Sequence, residues 1–221
     1  HPVPGRILVV AQQKGGSGKT TLAAHLAVAH AAMRRVAILD VDPQGSLGQW
    51  FERRERRLGE GATGLEMRTA SGWGAKREAR LLARDHDLVL IDMPPRSDLE
   101  ARNVIEAADL VVVPVQPTPV DLWATEATLE LVERGGPPAV MVVNRAPARP
   151  IGASVLAALD ALPAPLAATQ IVNRVAFGQT MGSGSTVVEA FPASKAAAEI
   201  RALALEVHGM LPETLARSAA R

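Results

Sequence analysis

Five short apolar runs recur along the chain, each dominated by Val, Leu and Ile: RILVVA at 6–11, VAILD at 36–40, DLVLID at 87–92, DLVVVPV at 109–115 and PAVMVVN at 138–144. Runs this short and this β-branched suit strands. Their lack of strict apolar–polar alternation suits strands buried on both faces. Stretches of helical length separate them, an alanine-rich one over 20–33 and others over roughly 98–108, 119–134 and 151–161. Strands alternating with helices predict an α/β fold, a mostly parallel twisted sheet with helices on both faces. Ligands of such sheets bind beyond the carboxyl ends of the strands. Here those ends carry a glycine-rich loop, Asp40-Val41-Asp42, Asp92-Met93-Pro94-Pro95 and Asn144-Arg145, so polar residues should converge on one edge.

Composition sharpens this expectation. Hydrophobic residues make up 48% of the chain but aromatics only 3%, which predicts a helix-rich core packed with small aliphatics. A length of 221 residues suits one domain spanning 1–221. The absence of cysteine excludes disulfides, thiolate zinc sites and cysteine-held iron–sulfur clusters. No apolar run approaches the ~20 residues of a membrane span, and a cytoplasmic location is expected. A net charge of +1 neither demands nor forbids nucleic acid, because a basic patch can sit on a neutral whole. The stretch from 53 to 75 is less legible. ERRERR at 52–57 reads as a solvated helix face with internal pairs, a nucleic-acid patch being the other reading, and GATGLEMRTASGWG should hold a short strand between turns.

The glycine-rich loop, AQQKGGSGKTTL at 11–22, has the chemistry of a phosphate cradle but departs from the common form G-x-x-x-x-G-K-[ST], which would place glycine at position 13. Gln13 stands there, followed by an additional cation, Lys14. Gly15, Gly16 and Gly18, with Ser17 between them, allow backbone amides to close around phosphate oxygens at a helix start. Lys19 is placed to reach the β- and γ-phosphates, Thr20 to offer a magnesium ligand and Thr21 to meet the α-phosphate. Magnesium prefers oxygen donors, and three carboxylates stand at predicted strand ends. Asp40 and Asp42 are two apart and so share a face in extended chain, while Asp92 closes the LVLID run. The second glycine stretch, MGSGST at 181–186, has no following lysine and reads as a turn.

Taken together, KGGSGKTT, DVDPQGS and LVLIDMPP resemble the ParA/MinD family, whose phosphate loop has the deviant form K-G-G-x-G-K-[ST]. DPQGSLGQW, PVQPTPVDLWA and the late stretch IVNRVAFGQTMGSGSTVVEAFPASKAAAEIRALALEV extend the likeness to short ParA proteins represented by plasmid-encoded ParF. The resemblance implies a P-loop ATPase that uses ATP and Mg2+ and turns over slowly. It implies that Lys14 crosses a homodimer interface to the partner's nucleotide, acting like an arginine finger supplied in trans. Lys19 and Thr20 would hold phosphate and metal. Asp42 would position or activate the attacking water, Asp40 would support the metal site, and Asp92 would bind magnesium through water. Asn144 falls where several relatives contact the base, with a strand-end turn as its other reading.

The resemblance further implies an ATP-dependent homodimer that binds double-stranded DNA nonspecifically on the nucleoid. A ParB-like or adaptor protein would stimulate hydrolysis, and the cargo would be a plasmid, a chromosome, or a protein body such as a carboxysome or chemotaxis cluster. The chain starts directly at the first strand, so sequence-specific operator binding is not expected. DNA-contact candidates are Arg145, Arg149, Arg174, Lys195 and Arg201, which also suit plain solubilising charges. A MinD-type membrane oscillator would need a bulky amphipathic tail, which PETLARSAAR lacks. A metabolic ATPase of the superfamily would not need Lys14. The remaining rival is a scaffold that binds nucleotide and hardly turns it over.

Overall fold

The computed structural model describes residues 4–42, 44–93 and 98–212. Pro43, Pro94, Pro95 and, of the stretch PETLARSAAR that begins at Pro212, residues 213–221 lie outside them. Among the described residues six strands run in parallel: β1 (Arg6–Val10), β2 (Val36–Asp40), β3 (Glu66–Thr69), β4 (Leu88–Asp92), β5 (Leu110–Val115) and β6 (Ala139–Val143), in the order β3-β2-β4-β1-β5-β6. The five expected runs are five of these strands, and β3 is the short strand expected between turns.

Alternate side chains of each strand enter opposite cores, as the pleat requires. Leu8 and Val10 of β1 join one core with α1 (Lys19–Ala31), α2 (Ser46–Leu58), α7 (Val175–Gly182), α8 (Val187–Ala190) and α9 (Lys195–Met210). Ile7 and Val9 join the other with α3 (Gly72–Asp85), α4 (Asp98–Ile105), α5 (Pro119–Gly135) and α6 (Ala153–Asp160). Both faces are therefore covered, which is why the inner strands carry no polar side, while the edge strand β3, with the sequence EMRT, is partly exposed.

ERRERR keeps its expected role only in part: Glu52 and Arg56 form a solvated internal pair at 3.4 Å, but the middle of the run does something else. It lies on α2, and Arg54 within it is only 5% exposed. The Arg54 guanidinium grips Glu189 with two hydrogen bonds of 2.9 and 2.8 Å, donates to the Thr63 carbonyl at 2.9 Å and lies over the Trp50 ring. Part of the run is thus a buried joint between α2 and α8 rather than a solvated face or a nucleic-acid patch. MGSGST supplies the other half of this joint. Gly184 has a φ of +69°, and a Cβ there would stand 2.2 Å from the Arg54 backbone nitrogen, so only glycine lets the turn close on α2.

Candidate functional site

β1 sits between β4 and β5 at the middle of the sheet, so the loop leaving it emerges between two strand ends. The register then sets the acids. Val10 lies opposite Asp92, and Asp92 opposite Asp40, in one row across β1, β4 and β2. The convergence expected at the carboxyl edge is present.

Three side chains from the far side of the sheet hold the loop by its carbonyls. Asn144 Nδ2 donates to the Ser17 carbonyl at 2.9 Å, while Gln116 Nε2 and Arg145 Nη1 donate to the Gly16 carbonyl at 3.0 and 2.6 Å. Gly18 caps α1 with a φ of 86°, and no side chain caps that terminus, so its amide donors stay available to an anion. A Cβ on Gly18 would lie 2.5 Å from Asn144 Nδ2. The loop is thus pressed against Asn144. In this arrangement Asn144 braces the cradle, while also lining a cleft of about 670 Å3 with Thr21, Asn173 and Phe177 that suits a nucleoside beside the phosphates. A second cleft of about 560 Å3 is lined by Gly15 to Thr21 and Asp42.

Lys19 is 7% exposed, and burial pushes its ammonium down against the opposing pull of Asp92 and Asp42. Thr20 Oγ1 donates to Asp92 Oδ2 at 2.6 Å. Asp92 is fully buried, and its other oxygen has no hydrogen-bond partner. Asp40 turns toward its own loop, accepting from the Asp42 and Gly48 amides at 3.0 Å each. It holds Asp42 and the start of α2 in place, whereas Asp42 accepts from the Gln44 amide and faces the phosphate cleft.

Among the described residues no group of three or more His, Cys, Asp or Glu forms a metal cage. The donor set nevertheless fits magnesium, which retains water and takes phosphate oxygens beside one or two protein ligands. The unpartnered Asp92 oxygen next to the Thr20 hydroxyl is the group such an ion would satisfy. Among the described residues no helix is long and apolar enough to cross a membrane.

Lys14 rests within its own chain, its Nζ 2.5 Å from Asp121 Oδ1 on the first turn of α5. Asp121 also accepts from the Thr118 hydroxyl. Further along α5, Thr125 Oγ1 accepts from Gln12 Nε2 at 3.0 Å, and Thr128 Oγ1 donates to Gln12 Oε1 at 2.7 Å while accepting the Gln13 amide at 3.1 Å. Gln13, where the common loop has glycine, is thereby tied to α5. Sequence reasoning missed Asp121, Thr125 and Thr128. Their signal is a polar stripe at i, i+4 and i+7 that is almost fully buried, on a helix with an otherwise apolar inner face.

The five expected DNA contacts differ in their surroundings. Arg145 bonds the phosphate loop, and Arg174 shares its cleft in a two-bond pair with Glu199 at 2.5 and 2.7 Å. Arg201 donates to the Pro192 carbonyl, and Arg149 and Lys195 are exposed.

Burial also makes a pH-dependent prediction. Asp92 is pushed up to about 7 by burial, against its Thr20 hydrogen bond and Lys19. An acid raised in this way holds its proton more tightly folded than unfolded, so stability falls as pH rises from the ordinary carboxyl value of 3.8 toward 7 and the penalty stays constant above. Asp92→Asn keeps the acceptor for Thr20 and removes the charge. It is expected to raise the melting temperature of the ligand-free chain above pH 7, with the gain shrinking as pH falls toward 4, and to weaken magnesium-dependent nucleotide retention. Equal melting curves at pH 8 would remove the buried-charge account.

The model of the CobQ/CobB/MinD/ParA nucleotide binding domain matches residues 8–213. The maintenance of carboxysome distribution protein A of Halothiobacillus neapolitanus is 27% identical, over 87% of this chain and 91% of the relative. The chromosome-partitioning ATPase Soj of Thermus thermophilus is 32% identical, over 94% of this chain and 97% of the relative. The cell division ATPase MinD of Pyrococcus furiosus superimposes with a TM-score of 0.78 at 23% identity, over 93% of this chain and 99% of that one, which is a likeness of fold.

Proposed function

Because the chain belongs to the CobQ/CobB/MinD/ParA nucleotide-binding family, we propose that it is a positioning ATPase that dimerises on ATP, rides on nonspecific DNA and distributes a cargo over it. The observation that carries this reading is Lys14. A second cation beside a phosphate loop that already has Lys19 serves no purpose in cis when it is paired with Asp121, yet α5 holds it at the mouth of the site. From there it can exchange Asp121 for the phosphates of a second copy.

The surroundings support such a pairing. Trp123 and Val120, on the same turn of α5 as Asp121, are 70% and 57% exposed, the apolar surface a second copy would cover. The names of two relatives suggest the cargo class, one a distributor of carboxysomes and the other a chromosome-partitioning ATPase. A ParB-like or adaptor protein would stimulate turnover.

Within the site each residue has a separate task. The first-turn amides of α1 and Lys19 bind and orient the phosphates. Thr20 and Asp92 would hold magnesium, which when bound neutralises charge on the β- and γ-oxygens. Asp42, fixed by the Asp40 carboxylate, orients the attacking water, and Lys14 of the second copy offsets the charge that develops as the γ-phosphoryl leaves. Asp42→Ala should therefore leave binding intact, slow hydrolysis and trap an ATP-bound dimer. A monomer on a sizing column with ATP would contradict that assignment.

The reading as a whole is tested by binding to random-sequence duplex DNA with ATP, with ADP and without nucleotide, at two salt concentrations. Binding with ATP alone, weakened by salt and indifferent to sequence, is the expected result. No binding under any of these conditions would overturn the DNA-riding reading.

A further inference from the structure

Helix α3 presents Arg77, Arg80 and Arg84 on one side, and all three are exposed. At 100° per residue they fall within about 60° of one another, in line with Trp73, which is 65% exposed. The opposite side of α3, formed by Ala75, Ala79, Leu82 and Ala83, is buried in the core, so the arginines point straight out.

The surrounding charges are arranged unusually. Arg68 holds Glu78 at 2.7 Å, Lys76 holds Glu106 at 3.3 Å and Arg102 holds the same Glu106 at 3.0 Å. Glu78 and Glu106 are thus taken by other cations, and the exposed Asp85 at the end of α3 lies about 80–140° around the helix from the three arginines. Among the described residues, Arg77, Arg80 and Arg84 have neither an ion pair nor a side-chain hydrogen bond. Like charges at these helical spacings repel, so the bare row works against its own helix. A polyanion would relieve that repulsion.

We infer that the Arg77–Arg80–Arg84 row of α3 is a contact surface for the phosphate backbone of duplex DNA. The inference rests on the DNA-binding reading above and moves the contact away from the C-terminal third. From Arg77 to Arg84 the helix rises about 10 Å, the length of roughly three base-pair steps along one strand. Guanidinium groups grip phosphate oxygens in pairs and read no base, which suits binding without sequence preference. A bilayer fits less well, because the apolar face of α3 is already buried and only Trp73 is left to enter it.

The test uses the full chain with ATP, a random-sequence duplex and a salt series followed by fluorescence anisotropy. The triple variant Arg77→Gln/Arg80→Gln/Arg84→Gln is expected to bind at least about tenfold more weakly at low salt. Its slope of log affinity against log salt should be shallower by about 2.7, at about 0.9 for each phosphate no longer neutralised. Its melting temperature, followed by circular dichroism, should be no lower than the parent's, since the three side chains make no ion pair or side-chain hydrogen bond and their mutual repulsion is removed. The corresponding triple lysine variant should keep most of the slope. If the lysine variant loses the slope as the glutamine variant does, charge is not what the row supplies and the inference fails. If the parent binds DNA and the glutamine variant binds it equally, with the same slope, the row is a solvated face and the inference fails while the DNA reading stands. If the parent binds no DNA under any condition, the DNA reading itself has failed and takes the inference with it. A glutamine variant that loses binding only to phosphatidylglycerol–phosphatidylcholine vesicles would assign the row to a membrane instead.

Discussion

Lys14→Ala is expected to lower ATP hydrolysis about 100- to 1,000-fold while leaving nucleotide affinity close to that of the parent. The split follows from geometry. In the single chain Lys14 is turned to Asp121 and not to the phosphate cleft, so its loss removes nothing from nucleotide binding in cis. Any effect on turnover must then come through a second copy. Mixing Lys14→Ala chains with Asp42→Ala chains provides the check, because each defect lies in a different half of one composite site. Partial recovery of hydrolysis in the mixture is the expected outcome, and no recovery at any ratio would place Lys14 in cis after all.

Asp121 gives the converse. Asp121→Asn keeps an acceptor for the Thr118 hydroxyl but no longer holds the lysine by charge. The pair is partly solvated and worth about 1 kcal/mol, so basal hydrolysis at limiting protein concentration should rise on the order of fivefold. An unchanged rate would mean that Asp121 does not restrain the lysine.

The second large effect is on stability. Arg54→Ala is expected to cost about 3–5 kcal/mol, a large part of the total for a domain of this size. The loss has several parts: Glu189 is left without its two-bond partner, the Thr63 carbonyl loses its donor, and the stem packed on Trp50 disappears. A drop of about 10 °C in melting temperature should follow. Arg54→Met/Glu189→Gln, which refills the volume and removes the orphaned charge, should recover part of it. A loss under about 1 kcal/mol for Arg54→Ala would place the pair among surface ion pairs. Burial alone would raise the Glu189 carboxyl, but the hydrogen bonds and charge of Arg54, together with the Arg57 charge and the Ser185 hydrogen bond, outweigh it and hold the group below its ordinary value of 4.5. That contribution is therefore fully present at neutral pH, and it is lost as pH falls below 4.5 through the lowered folded value.

Arg54 and Arg77 mark the limit of what could be read from the chain. Both lie in charged helical stretches, ERRERR and KREARLLARD, that look alike as text. One arginine is sealed in a joint between α2 and α8, and the other stands bare in solvent. The polar stripe of α5 was equally hidden, because Thr125 and Thr128 are ordinary helix residues until Gln12 is set against them. Helices α7 to α9 were also not located from periodicity, since Val175–Gly182 and Val187–Ala190 are short pieces whose form depends on what they pack against.

By itself the sequence determined the parallel strands, the phosphate loop and the row of aspartates at one edge. These depend on local features: β-branched runs that fit only a sheet buried on both faces, glycines that permit a cradle, and acids at strand ends whose alignment follows from register. The resting place of Lys14 on α5, the burial of Arg54 and the unpaired row on α3 were decided only by the tertiary structure. A charged side chain's role depends on which distant residue the packing brings within about 3 Å of it, and partners more than about a hundred residues away leave no periodic trace.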